Sequence, residues 1–246
     1  MSEADHRIER ARSFGPVADA YERARPGYPP DAVAWLAGEP ARDVVDLGAG
    51  TGKLTRLLVA AGHHVVAVEP LSEMRAALEH AVPGVPVVAG SGEEMPLPDA
   101  SADVVTVAQA FHWFDQSAAL VEIARVLRPG GTFGLVWNTR DDTEPWVAEL
   151  SEAATGREGV EAYEVEAVVA ESGLYGRVEH ATFALTQKLD LATLLDLVLS
   201  RSYCAVLSPA ERRPVLERVE QIFAQHERNG ALELPYLTEC FRMTRL

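Results

Sequence analysis

The chain has 246 residues, 48% of them hydrophobic and 24% charged, with a formal net charge of −15. That length suits one domain, or one domain with a large insertion, around a sizeable core. The acidic balance and the lack of any Lys/Arg-rich run argue against a sequence-independent hold on nucleic acid phosphates, and no apolar run approaches membrane-spanning length. Two cysteines, Cys204 and Cys240, make no disulfide framework and have no metal-ligand spacing. The charged start, residues 1–7, lacks an apolar signal core, so the expected compartment is the reducing cytoplasm.

In chain order, Phe14, Val17, Ala18 and Tyr21 recur at helical spacing before the proline- and glycine-rich run 23–30 breaks the helix. This segment reads either as an arm packed on the domain or as a lid. In the lid, Phe14, Tyr21, Arg25 and Tyr28 cover a bound cofactor, with Arg25 pairing to the cofactor's carboxylate. Asp31 is a suitable N-cap for a helix over 32–36. Next, Val44-Val45-Asp46-Leu47 runs into glycines at 48, 50 and 52 and then into Leu54, Leu57, Leu58 and Ala61. The pattern is a buried strand, a tight glycine turn and an amphipathic helix. Side chains at those glycines would fill the space a ligand needs on the backbone. A second strand over 64–68 ends in Glu69, where an acid can accept hydrogen bonds from ribose hydroxyls.

A helix follows through Met74, Ala77 and Leu78, with Ser72 as its cap. A third strand spans 85–89, with Gly90-Ser91-Gly92-Glu93-Glu94 at its carboxyl end. A fourth strand spans 102–108 and leads into Gln109-Ala110-Phe111-His112-Trp113-Phe114-Asp115. Ligands of open parallel sheets bind outside the carboxyl ends of strands, which marks this aromatic stretch. A helix over 119–127 ends at Arg128-Pro129-Gly130-Gly131, where the glycines permit a turn back into the sheet. A fifth strand over 132–137 then delivers Asn138 and Arg140. Residues 143–176 read as mostly helical. A sixth strand spans 177–185, helical periodicity runs over 190–228, and 235–243 reads as the closing strand. The intervening helical insert, roughly forty residues long, is too long for a plain hairpin connection.

The register of the glycine turn narrows the chemistry. A dinucleotide fingerprint begun at Gly48 needs glycine where Lys53 stands; what stands here is D-x-G-x-G-x-G, with Asp46 on the strand. This resembles motif I of the class I S-adenosylmethionine-dependent methyltransferases. Further similarities are Y-x-x-x-R-P-x-Y-P over 21–29, L-R-P-G-G over 127–131, and the stretch 108–115. The last is similar to a signature of the branch that includes trans-aconitate methyltransferase. The resemblance runs from about Phe14 to the C-terminus. It implies an α/β, Rossmann-like, seven-stranded sheet, mostly parallel with an antiparallel last strand, with helices on both faces and a helical cap inserted near the C-terminus. The corresponding divisions are an N-terminal helical lid at 1–30, a cofactor-binding core at 31–189, a substrate cap at 190–230 and the last strand of the core at 231–246.

The resemblance also implies S-adenosyl-L-methionine as cofactor and S-adenosyl-L-homocysteine as product. The residues expected around them are Tyr21, Arg25, Asp46, Gly48, Ala49, Gly50, Gly52, Glu69, Met74, Gly92, Glu93 and Gln109, with Met74, Gly92 and Glu93 at the adenine. The acceptor is expected to be a small molecule, methylated on an oxygen of a carboxylic acid or a natural-product hydroxyl. Its expected contacts are Tyr28, Phe111, Trp113, Asn138, Arg140, Arg201 and Tyr203, with Arg201 and then Arg140 the candidates for an anionic group. His112 is the candidate general base, or else a neutral wall residue. Asp141 and Asp142 stand without a third converging ligand, so no metal is expected. The expected oligomer is a monomer or homodimer. Rival readings are a nicotinamide oxidoreductase, opposed by Lys53, and a protein that binds the cofactor without turnover.

Overall fold

The computed structural model of the protein describes residues 22–154, 162–201, 204 and 207–246. The expectations for Phe14, Tyr21 and Tyr203 lie outside the described residues. The elements are α1 (Pro30–Ala37), β1 (Asp43–Leu47), α2 (Lys53–Ala60), β2 (His64–Val68), α3 (Ser72–Ala81), β3 (Val87–Val88), β4 (Ala102–Ala108), a 3₁₀ turn (Phe111–Trp113), α4 (Gln116–Val126), β5 (Leu127–Arg140), α5 (Pro145–Ala153), α6 (Ala162–Ser172), β6 (Glu179–Leu189), α7 (Leu191–Leu199), α8 (Pro209–His226) and β7 (Leu232–Thr244). The seven strands form one sheet in the order β3-β2-β1-β4-β5-β7-β6. β1 pairs parallel with β2 and β4, β2 with β3, and β4 with β5, while β5-β7-β6 run antiparallel. The expected architecture, a Rossmann-like seven-stranded sheet that is mostly parallel with an antiparallel last strand, is the observed one.

The described residues divide into a larger unit, within 27–137, 162–183 and 238–246, and a smaller unit, within 22–26, 138–154, 184–201, 204 and 207–237. In the larger unit, alternate residues of each strand serve opposite faces of the sheet. Val45, Leu47, Val105, Val107, Phe133 and Leu135 join one core cluster with Leu120 and Ile123 of α4 and Val165 and Val169 of α6. Val44, Val104 and Val136 join the other, with Val33 and Leu36 of α1 and Leu54 and Leu58 of α2. Burial on both faces is what a parallel sheet requires, and it explains the near-continuous apolar runs. The smaller unit has its own core, in which α8 packs on α5 and α7 through Val219, Ile222, Val147, Leu150, Leu194 and Leu197, with Leu234 and Tyr236 of β7.

Several local expectations are corrected. Pro30 occupies the first turn of α1 and Pro29 its N-cap, a slot suited to proline because the missing N–H has no helical partner there. Asp31 is an acid of the first turn rather than the cap. Ser72 opens α3, and Leu71 is its N-cap. The stretch 128–131, read as a turn, and Leu127, read as the last helical residue, belong to β5. Gly130 N–H donates to the Arg245 carbonyl at 3.2 Å and Arg245 N–H to the Gly131 carbonyl at 2.8 Å. Arg128 is bonded to Asp43 at 2.9 Å and to Asp103 at 2.6 Å, which ties the starts of β1 and β4 to β5. Among the described residues no helix is long and apolar enough to cross a membrane.

Candidate active site

The sheet order reverses at β1: β2 and β3 lie on one side, β4 and β5 on the other. Loops from neighbouring strands therefore part at the carboxyl end of β1 and leave a crevice there. Within the larger unit this end gathers the glycine turn after β1, Glu69 after β2, the loop 90–94 after β3 and residues 109–115 after β4.

The glycine turn is held by its own backbone and by Glu69. Gly48 N–H and Ala49 N–H donate to the Val68 carbonyl at 2.8 and 3.2 Å. Gly50 N–H donates to Glu69 Oε2 at 2.9 Å, and Leu71 N–H to Glu69 Oε1 at 3.0 Å. Glu69 is 5% exposed; burial pushes its pKa up, while the two backbone donors pull the other way. Each carboxylate oxygen keeps a lone pair beyond its backbone donor, so ribose hydroxyls can still be accepted. All three turn glycines have positive φ, but their surroundings differ. A Cβ at Gly48 would meet Ala110 at 2.9 Å, and one at Gly52 would meet Leu78 at 2.9 Å. At Gly50, with φ +58°, nothing lies within 4 Å. Gly48 and Gly52 combine positive φ with protein packed against them, whereas Gly50 faces open space, which leaves its backbone accessible to a ligand.

This arrangement gives a graded expectation for Glu69. Glu69→Ala removes both carboxylate oxygens and with them the brace on Gly50; if the expected ribose contact is made there, it should weaken S-adenosylhomocysteine by ~1–3 kcal/mol in calorimetry, the range for hydrogen bonds to a charged group. Glu69→Gln keeps one acceptor oxygen and should cost less. Equal binding by both variants and the parent would remove Glu69 from the site.

Other expected residues fall into two groups. Gly92 is buried, and a Cβ there would strike the Phe114 ring at 2.6 Å. Glu93 Oε1 accepts from Asp115 N–H at 2.7 Å, and Asp115 in turn caps α4 through Ala118 N–H at 3.2 Å, so the β3 and β4 loops are tied together. Gln109 adopts φ +55°, an uncommon conformation for a non-glycine residue and a mark of functional sites. Met74 is buried in α3. His112 is exposed, with its ring 4.6 Å from that of Trp113.

Two expected residues are placed elsewhere. Asp46 is fully buried, with Oδ2 accepting from the Thr55 hydroxyl at 2.6 Å and Oδ1 from the Thr106 hydroxyl at 3.3 Å. It joins β1 to α2 and β4 rather than lining the crevice, and burial, more than any other cause, lifts its pKa to about 7. Phe111 is a core residue against Phe133 and Phe114 at 5.7 and 6.1 Å between centroids, not an open wall.

The smaller unit holds the remaining expected polar residues. Asn138, Arg140 and Arg201 are all buried. Arg25 donates from Nε to Ser200 Oγ at 3.1 Å and from Nη2 to the Ser200 carbonyl at 3.1 Å. Tyr236, which no local motif marks, lies buried where Arg201, Arg140 and Arg25 act on its hydroxyl. Among the described residues no group of three His, Cys, Asp or Glu side chains is placed to hold a metal ion.

Residues 45–135 match the family described as methyltransferase domain. The chain is similar to an uncharacterized methyltransferase of Mycobacterium tuberculosis, 48% identical over 97% of this chain and 98% of the relative. It is 35% identical, over 92% of each, to an uncharacterized methyltransferase-like protein of Schizosaccharomyces pombe. Its fold is similar to that of phosphoethanolamine N-methyltransferase 2 of Haemonchus contortus, solved with phosphomonomethylethanolamine and S-adenosylhomocysteine. That likeness has TM-score 0.59 and 14% identity over 100% of this chain and 60% of the other.

Proposed function

Because this chain belongs to the class I S-adenosylmethionine-dependent methyltransferases, we propose that it moves a methyl group to an oxygen of a small molecule, a carboxylic acid or a hydroxyl. The observation that supports the cofactor half of this reading is the open space over Gly50 beside the Glu69 carboxylate. When bound, the cofactor supplies a methyl group already activated by its sulfonium charge, so the accepting oxygen displaces a neutral thioether. Glu69 would hold the ribose, the backbone of Gly48, Ala49 and Gly50 the amino-acid end, and Met74, Gly92, Glu93 and Gln109 the adenine side. We assign cofactor holding to residues 31–189 and acceptor choice to residues 190–230. The chain's catalytic work is then alignment and exclusion of water, a proximity effect.

Whether His112 works as a base follows from the acceptor. A carboxylate near neutrality has no proton to remove, and a hydroxyl does. With an acid acceptor, we expect His112→Asn to keep much of the parent's kcat and the pH–rate profile to stay flat through neutrality. A loss of ~10²–10⁴-fold in His112→Ala, with the parent's rate falling as the imidazole protonates, would assign His112 as base and a hydroxyl as acceptor. The reading as a whole is tested by following radiolabelled methyl from S-adenosylmethionine into a panel of small acids and alcohols. Tight cofactor binding with no transfer to any of them would favour a binding protein instead.

A further inference from the structure

In the smaller unit three arginines, two of them buried, act on one buried hydroxyl, that of Tyr236. Arg201, just past α7, is 2% exposed, and Arg140, at the end of β5, is 7% exposed. Arg25 reaches the same place through Ser200, the residue before Arg201. Asp141 N–H donates to the Pro235 carbonyl at 3.1 Å, which sets Arg140 beside Tyr236. The charges felt by the buried Tyr236 hydroxyl come from Arg201, Arg140 and Arg25, all positive. Those felt by the Cys204 thiol come from Arg212, Arg140 and Arg201, positive again. Among the described residues no hydrogen bond or ion pair engages the Arg140 guanidinium.

For Arg140, buried beside other guanidinium groups, this setting is unfavourable on its own terms. Like charges repel more strongly in a low dielectric, and each buried guanidinium forfeits hydration. A ligand of opposite charge removes both costs, and planar guanidinium forks beside a hydroxyl match the oxygens of a carboxylate or a phosphate.

We propose that Arg140, Arg201 and Arg25, with the Tyr236 hydroxyl, form a binding site for a small oxyanion carrying at least two negative charges, a dicarboxylate or a phosphate ester. That this oxyanion is the methyl acceptor rests on the function proposed above; the site itself does not.

The test is thermal unfolding of the full chain in succinate, inorganic phosphate or acetate, at one ionic strength set with sodium chloride. Succinate or phosphate should raise Tm by about 3–6 °C at tenfold above its Kd, with acetate showing no such rise. The more effective of the two dianions tells carboxylate from phosphate chemistry. Equal curves in all three salts would overturn the proposal. In Arg140→Met the response should vanish while Tm without the dianion stays equal or rises, because an uncompensated buried charge is gone. A lowered Tm with the dianion response intact would make Arg140 structural and overturn the proposal. If that variant does not fold, Tyr236→Phe and Arg140→Lys serve: each should weaken the dianion at least about tenfold, and unchanged affinity would overturn it. Calorimetry with S-adenosylhomocysteine separates the two readings. Cofactor binding without a dianion response sinks only this inference, and a dianion response without cofactor binding sinks only the proposed activity.

Discussion

Gly50→Val should abolish measurable S-adenosylhomocysteine binding while leaving a folded protein. The expectation rests on the contrast between Gly50 and its neighbours. A valine side chain at Gly52 would run into Leu78, whose Cγ lies 2.9 Å from the position of a Cβ; at Gly50 nothing of the protein lies within 4 Å. Folding therefore loses only the strain of a β-branched residue at φ +58°, about 1–3 kcal/mol, or a few degrees in Tm. On the cofactor placement proposed above, binding loses far more, because the branched side chain would stand where the ligand crosses the backbone. It also disturbs the Gly50 N–H that braces Glu69. An affinity loss above ~100-fold is expected, and Gly50→Ala should fall between the parent and Gly50→Val. Calorimetry on a variant with parental circular dichroism reads the result. Unchanged affinity would move the cofactor site away from the turn after β1.

The glycine turn was legible because its residue types are demanded locally, by backbone conformation and close approach. The strands β2 and β4 were equally legible, as apolar runs bounded by turn residues. Features set by distant parts of the chain were not. Residues 128–131 carry a proline and two glycines and look like a turn, but they run as strand in β5 and bond to Arg245, the residue after β7, a case of long-range contacts overriding local preference. Asp46 sits in the family motif and looks like a ligand residue. Its partners Thr55 and Thr106 lie 9 and 60 residues away, and nothing in the motif announces them. Tyr236 joins Arg25, Arg140 and Arg201 only because β7 returns beside the end of β5. Arg25 was anticipated as a partner for the cofactor's carboxylate; its bonds to Ser200, a residue with no motif at all, were not anticipated.

Asp46 carries the other large effect, on stability. Its carboxyl is fully buried, and burial, with a smaller contribution from Glu69, raises its pKa to about 7 against the hydroxyls of Thr55 and Thr106. In the unfolded chain the same group titrates at the ordinary value of 3.8. Between these two values the folded protein holds a proton that the unfolded chain has released. Stability from this group is therefore fully present below about pH 4, falls as pH rises towards 7, and stays lost above it. The full loss is of the order of 4 kcal/mol. Asp46→Asn should abolish this slope. The amide oxygen can still accept from Thr55, and the amide nitrogen can donate to the Thr106 oxygen, so the links to α2 and β4 survive. At pH 8 the variant should exceed the parent in Tm by several degrees, and the gap should close towards pH 4.5, where the parent's Asp46 is itself neutral in the folded state. Cofactor affinity should change little, because the carboxylate is sealed from the crevice. Denaturant unfolding of both proteins from pH 4.5 to 8 measures the slope directly. A variant less stable than the parent at pH 8 would show that the ionised carboxylate, not the neutral acid, is what β1 needs.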